Sequence, residues 1–328
     1  MVKTVFLLGI SRRSGTNFLH DLLCAHPSCG TVFPVREDFL VAEANHLVKF
    51  VDSVADRWDP EWGHHRTVRT KLLRHIGIGL NQFLGSLTQS SWNDQKWPDK
   101  LSSERRFLKT DPEITVTKTP SVENLNLRSL VPDSKTIVIV RDGRSVAEST
   151  VRGLNGNFEA TIRNWVSSAK KILEAKKEND DFVVVRYEDL ITNQISELEK
   201  IFSFLELDKS QYDFGAATGM PVRGSSFQRG GEDQVHWGQV EKTKNFKPLE
   251  RWSGWSRLKH ERFNWIGANT LQELGYQPKI YSRINPVFIT YNILFDIFYY
   301  VRCSVSFIIK KSRFFVSGSN VAPNLYIE

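Results

Sequence analysis

With 328 residues, 40% hydrophobic and 25% charged side chains, the chain has the composition and length of a globular protein built on one large core. Its net charge of +7 suits an anionic ligand or surface, but no nucleic-acid signature accompanies the charge, so no nucleic-acid partner is expected. Three cysteines (Cys24, Cys29, Cys303) are too few for a disulfide framework; with no signal peptide ahead of the first strand, they predict a cytoplasmic setting.

Val5 to Leu8 (VFLL) reads as a short buried strand. The turn GISRRSGT follows from Gly9 to Thr16, and Phe18, Leu19, Leu22 and Leu23 then recur at helical spacing. A strand, a Gly/Ser-rich turn and a helix together aim backbone N–H groups and a helix dipole at an anion. An ATP-binding loop would carry Gly-Lys where this chain has Ser14-Gly15, and Arg12 and Arg13 supply the positive charge instead. The turn is therefore expected to hold a phosphate, but not Walker-type Mg-ATP. FPVREDF (Phe33 to Phe39) follows, its Arg36-Glu37-Asp38 either a solvated charge cluster or part of a site. From Ala42 to Ser103 the pattern is helical and predicts an inserted cap, in which Trp58, Trp62, Trp92 and Trp97 either line an acceptor pocket or serve as core.

VTK (Val116 to Lys118) before Thr119-Pro120 reads as a strand running into a turn. TIVIV (Thr136 to Val140) is the clearest buried strand and leads directly into RDGRSVAES, Arg141 to Ser149. Arg141 and Ser149, eight residues apart at a strand end and on the next helix, can grip a second phosphate; alternatively the segment is a charged turn with Asp142 as N-cap. FVVVRYEDL (Phe182 to Leu190) predicts a further strand, with Tyr187 either a nucleotide contact or a half-buried strand-end aromatic. The helix after it is expected to bury Ile195, Leu198, Ile201, Phe202 and Leu205. Strands alternating with helices imply a parallel sheet with its ligands at the carboxyl ends, where Arg13, Lys118, Arg141 and Tyr187 all fall. Gly215 to Gly231 is read as a loop, and Trp252, Trp255 and Trp265 as part of a helix capped at Gly275.

The ordered set RSGTNFLHDLLCAHP, VTKTP, RDGRSVAES, RYEDL and KP before a Trp resembles the sulfotransferases that use 3′-phosphoadenosine 5′-phosphosulfate. It is most similar to the branch holding the tyrosylprotein sulfotransferases and bacterial relatives, over roughly residues 1–277. The resemblance implies an α/β, P-loop-like three-layer sandwich with a central parallel sheet, a helical insertion after the first βα unit and a helical C-terminal tail. It also implies a sulfotransferase domain over residues 1–277, with the acceptor cap at 42–103, and a separate tail at 278–328. In such a protein Arg13, Ser14, Gly15, Thr16 and Asn17 cradle the 5′-phosphosulfate. Arg141 and Ser149 hold the 3′-phosphate, and Tyr187 lies near the nucleotide. Arg152 sits one residue before the place of another 3′-phosphate arginine, and Ser225 or Ser226 and Lys247 match later contacts of the nucleotide more loosely.

Sulfuryl transfer needs a base for the acceptor hydroxyl and cations for the charge that develops on the sulfuryl group and leaving phosphate. The resemblance puts Glu37 as base, with Asp38 as the alternative and His20 less favoured, and Arg13 and Lys118 as the catalytic cations. Sulfate carries less charge than phosphate, so no metal is required by this chemistry, and no cluster has convincing ligand spacing. The partners expected are the nucleotide donor and a hydroxyl on a small molecule, carbohydrate or lipid. A small-molecule kinase, or a nucleotide-binding membrane-associated protein without catalysis, are the competing readings. Past Gly275, VFITYNILFDIFYYV (Val287 to Val301) carries one charge, Asp296. Arg302 follows it, and Lys310, Lys311 and Arg313 close the segment. Residues 284–313 are accordingly expected either to lie on an anionic membrane surface or to pack on the domain or on a second copy.

Overall fold

The computed structural model describes residues 3–32, 37, 43–58, 65–88, 112–178, 180–223, 239–240, 248–281 and 286–317. Strand β1 (Lys3–Gly9) buries Val5, Phe6, Leu7 and Leu8 alike, as a parallel strand covered on both faces must. Helix α1 (Thr16–Cys24), the short strand β2 (Cys29–Thr31), helices α2 (Asn45–Ala55) and α3 (His65–Thr88), and strand β3 (Ile114–Thr119) follow. Strand β4 (Lys135–Val140) then leads into α4 (Gly143–Leu154) and α5 (Phe158–Lys177). Next come β5 (Phe182–Arg186), α6 (Tyr187–Thr192), α7 (Gln194–Leu205) and α8 (Phe214–Thr218). A two-residue hairpin of β6 (Val222–Arg223) and β7 (Gln239–Val240) precedes α9 (Arg257–Glu273) and the long α10 (Pro286–Ser317).

Five strands form a parallel sheet in the order β2-β3-β1-β4-β5. The period of two along β1 sorts its side chains into two cores. Val5 and Leu7 pack with Phe18, Leu22, Ile201 and Phe202 on the α1/α7 side. Phe6 and Leu8 pack with Val146, Ile162, Trp165 and Phe263 on the α4/α5/α9 side. These two cores and the sheet between them make a three-layer α/β sandwich.

The register sets Leu7 of β1 beside Lys118 of β3 and Gly9 beside Ile139 of β4, so the carboxyl ends of these strands share one edge. The chain leaves β1 toward β2 on one side of the sheet and leaves β4 toward β5 on the other. Between β1 and β4 the connections diverge, which opens a crevice at that edge.

The insertion is helical where it is described. Arg69 Nε donates to Asp52 Oδ1 at 2.6 Å, tying α3 to α2. Gly77 lies so close to the carbonyl of Leu130 that a Cβ would sit 1.6 Å from that oxygen, which is why the contact needs a glycine. Gly275, at φ +82°, ends α9 as expected.

Several local expectations give way. The β5 strand stops at Arg186, and Tyr187 opens α6 with only 1% of its surface exposed, because Glu188 and Asp189 favour a helix's first turn. Ile195 is exposed on α7, and Gln194 is buried in its place, its amide donating to the Ala217 carbonyl at 2.8 Å. The expected loop from Gly215 opens inside the helix Phe214–Thr218, capped by Asp213, whose carboxylate accepts from the Ala216 N–H at 2.8 Å. Trp252 and Trp255 both precede the α9 helix, which begins only after Ser256, and Trp265 alone of the three lies on it. Trp62, Trp92 and Trp97 and the rest of the Gly/Ser-rich segment, 224–231, lie outside the described residues. Among the described residues, no helix is long and apolar enough to cross a membrane.

Candidate functional site

The turn between β1 and α1 is held open by two residues with left-handed backbones, Arg13 (φ 71°) and Gly15 (φ 102°). Gly15 cannot be replaced without collision: a Cβ there would come within 2.3 Å of the Tyr187 ring. Ser14 Oγ donates to the Ser11 carbonyl at 2.7 Å and closes the turn on itself. Thr16 and Asn17 begin α1, whose first N–H groups have no partners within the helix.

Three arginines meet at this turn. Arg13 Nε donates to Ser149 Oγ at 3.0 Å, and Arg251, from the segment before α9, donates to the same hydroxyl at 3.2 Å. Arg141, at the end of β4, donates to the Arg13 carbonyl at 2.8 Å and to the Pro248 carbonyl at 2.5 Å. Its guanidinium also lies over the Tyr187 ring, 4.5 Å from the centroid. Arg141 Nε is buried with no partner among the described residues.

Such crowding of positive charge has an electrostatic signature. Burial, then the charge of Arg141, lowers the pKa of Arg13. Burial, then the charge of Arg141, pushes Arg251 down to about 9; Tyr187 opposes the shift, and the charges of Arg13 and Arg152 add smaller contributions to it. A bound anion would relieve both.

The RDGR turn is itself well anchored. Asp142 caps α4, its carboxylate accepting from the Arg144 N–H at 2.8 Å and from the Arg144 guanidinium. The Asp142 N–H donates to Glu188 Oε1 at 3.0 Å, and Glu188 also accepts from the Tyr276 hydroxyl at 2.8 Å. Burial raises the Glu188 pKa, and those two hydrogen bonds only partly oppose it. Asp142 as N-cap and Arg141 at the crevice are therefore compatible; the turn does both.

Beside the first turn of α1, the buried Lys118 hydrogen-bonds Asn17 Oδ1. Arg152 stands apart from the arginine cluster: it pairs with Glu148, and its side chain is 64% exposed. Glu148 is held by Trp255 Nε1 at 2.6 Å and Lys259 Nζ at 3.2 Å as well, which ties α4 to α9. Glu37 is half-buried, while its alternative Asp38, like Ser225, Ser226 and Lys247, lies outside the described residues. His20 is fully buried in α1, its Nε2 2.7 Å from Thr31 Oγ1.

Sequence reading missed Arg251. It lies inside the KP-before-Trp segment, three residues past Pro248, whose carbonyl accepts from Arg141, but that motif pointed to Lys247 and not to the arginine. Among the described residues no group of His, Cys, Asp and Glu has the arrangement of a metal site.

Residues 4–211 match the family model of the sulfotransferase family. A Caenorhabditis briggsae protein assigned as a protein-tyrosine sulfotransferase is 25% identical over 217 residues, covering 63% of this chain and 66% of that relative, so the chain spans slightly less than two thirds of it. Among solved structures, the sulfotransferase domain from the curacin biosynthetic pathway covers 85% of this chain and 99% of its own, at 18% identity and a TM-score of 0.48. Mouse sulfotransferase SULT7A1, complexed with PAP, covers 82% of this chain and 85% of its own, at 13% identity and a TM-score of 0.37.

Proposed function

The chain belongs to the sulfotransferase family, and on that premise we propose that it transfers a sulfuryl group from 3′-phosphoadenosine 5′-phosphosulfate to a hydroxyl acceptor. The observation that carries the reading is the meeting of Arg13 and Arg251 at Ser149, with Arg141 bonded to the Arg13 carbonyl, beside a phosphate-type turn that lacks the ATP-binding lysine. In this reading Arg141, Ser149 and Arg251 hold the 3′-phosphate. The turn from Arg13 to Asn17 holds the 5′-phosphosulfate through its backbone N–H groups, and Tyr187 walls the site under Gly15. Ser226 and Lys247 are proposed as further contacts of the donor, and Arg152 as a more distant charge.

The S–O bond to the donor's 5′-phosphate breaks as the acceptor oxygen forms its own bond to sulfur, and adenosine 3′,5′-bisphosphate leaves. Lys118 and Arg13 offset the negative charge on the transferred group and the leaving phosphate. Glu37 takes the proton of the acceptor hydroxyl. The acceptor is a small molecule, carbohydrate or lipid reaching the site past the helical cap.

Calorimetric titration with adenosine 3′,5′-bisphosphate in EDTA, beside ADP and ATP, tests the donor assignment. The expected result is selective micromolar binding of the bisphosphate that weakens sharply in Arg141→Ala. Equal binding of ATP, dependent on magnesium, would overturn it and favour a kinase.

A further inference from the structure

An ordinary surface helix turns its apolar residues inward and its polar ones to solvent; helix α10 carries apolar residues on its outer side as well. Its inner seam mixes aromatic and polar groups: Phe288, Phe295 and Tyr299 lie against the guanidiniums of Arg257, Arg262 and Arg163, and Asn292 and Asp296 accept hydrogen bonds between them. Arg262 donates to the side-chain and backbone oxygens of Asn292 at 3.1 and 3.2 Å. Asp296 accepts from Arg163 and Arg262, each at 2.5 Å, and from Trp265 Nε1 at 2.8 Å. The outer stripe is apolar: Leu294, Val301 and Ile308 recur every seven residues, flanked by Ile297, Phe298 and Val305. Leu294 is 61% exposed, Phe298 63% and Ile308 63%. A contiguous apolar surface of this kind marks a contact with something outside the domain.

Charge selects the occupant. Asp296 is the helix's single acidic residue, and it is engaged on the inner side; the remaining charges, Arg302, Lys310, Lys311 and Arg313, are all basic. A second copy of this chain meeting α10 through the same stripe would offer no acidic side chain of α10 to that basic end. An anionic lipid surface satisfies both features at once, the acyl boundary taking the apolar stripe and the headgroups taking the cations. We propose that α10 is an interfacial helix that docks the protein on an anionic membrane surface, with the Asp296 contacts to Arg163 and Arg262 fixing the helix to the domain. This inference goes beyond the sulfotransferase reading and is independent of it.

Flotation of the full chain with phosphatidylcholine vesicles, with and without about one third phosphatidylserine, tests it. The anionic vesicles are expected to retain the protein at least about tenfold better than the neutral ones. Leu294→Glu combined with Phe298→Glu, and separately Lys310→Glu combined with Lys311→Glu, are each expected to abolish the difference. Both pairs are on the helix, outside the nucleotide site, so unchanged circular dichroism serves as the check on folding. No retention by either vesicle overturns the proposal, as does retention that ignores vesicle charge or survives the Leu294/Phe298 change. A dimer in sedimentation that dissociates in the Leu294/Phe298 variant, with no vesicle binding, would assign the face to a second copy instead.

Discussion

Arg251 shows how much a single buried cation can reveal. Burial and three neighbouring arginines hold its pKa near 9, so the free protein keeps it charged only below that pH. Above about 9, an anion binding there must first draw a proton onto Arg251, and affinity is expected to fall toward tenfold per pH unit. Calorimetry of adenosine 3′,5′-bisphosphate from about pH 7 to about pH 10 should show flat affinity followed by this fall, and Arg251→Gln should lack the fall. Arg251→Ala should weaken the bisphosphate by about tenfold to a hundredfold, the worth of a hydrogen bond to a charged group, while leaving ADP, which has no 3′-phosphate, little changed. Arg13, Arg141 and Ser149 were legible in the sequence because each sits in a short motif next to a strand. Arg251 was not, because what makes it matter is its distance to Ser149, more than a hundred residues earlier.

The element that matters most is α4 with the turn before it. Asp142 neutralises Arg144, whose side chain is only 4% exposed, and accepts the Arg144 N–H, so one carboxylate serves as cap and counter-ion. Asp142→Ala should therefore cost about 3 kcal/mol, more than a lost cap alone, because it strands a buried cation. Urea unfolding measures that loss, and Asp142→Asn, which keeps the cap but not the charge, should lose less. Because the Arg141 carbonyl is held by Trp165 Nε1 at 3.1 Å and the Asp142 N–H by Glu188, bisphosphate affinity should fall in parallel with stability. The strand and helix at either end of this turn could be read from hydrophobic period alone. The position of Tyr187 could not: the apolar run Phe182 to Val185 continues visually into Tyr187, and helix start is decided by the acidic first turn and the Arg141 ring contact.

For the whole molecule, the last helix is joined to the rest through a partly buried charge cluster set among the rings of Phe288, Phe295 and Tyr299. Glu159, Arg163, Arg262 and Asp296 interlock across α5, α9 and α10. Glu159→Ala leaves the buried Arg262 with Asp296 as its remaining carboxylate partner and should cost about 3 kcal/mol, read as a lowered thermal midpoint. Sequence by itself determined the α/β class, the parallel sheet, the phosphate-type turn without its lysine, and the two motifs at Arg13 and Arg141. These are set by local rules: period two or 3.6, the reach of a turn, and residue chemistry at a strand's end. Only the tertiary structure decided that β1 and β4 are neighbours, that Arg251 and not Arg152 reaches Ser149, and that Asp296 faces inward while Leu294 and Phe298 face out. Each of those depends on which segments meet across long sequence separations, and on the cost of burying charge unpaired, which no local pattern records.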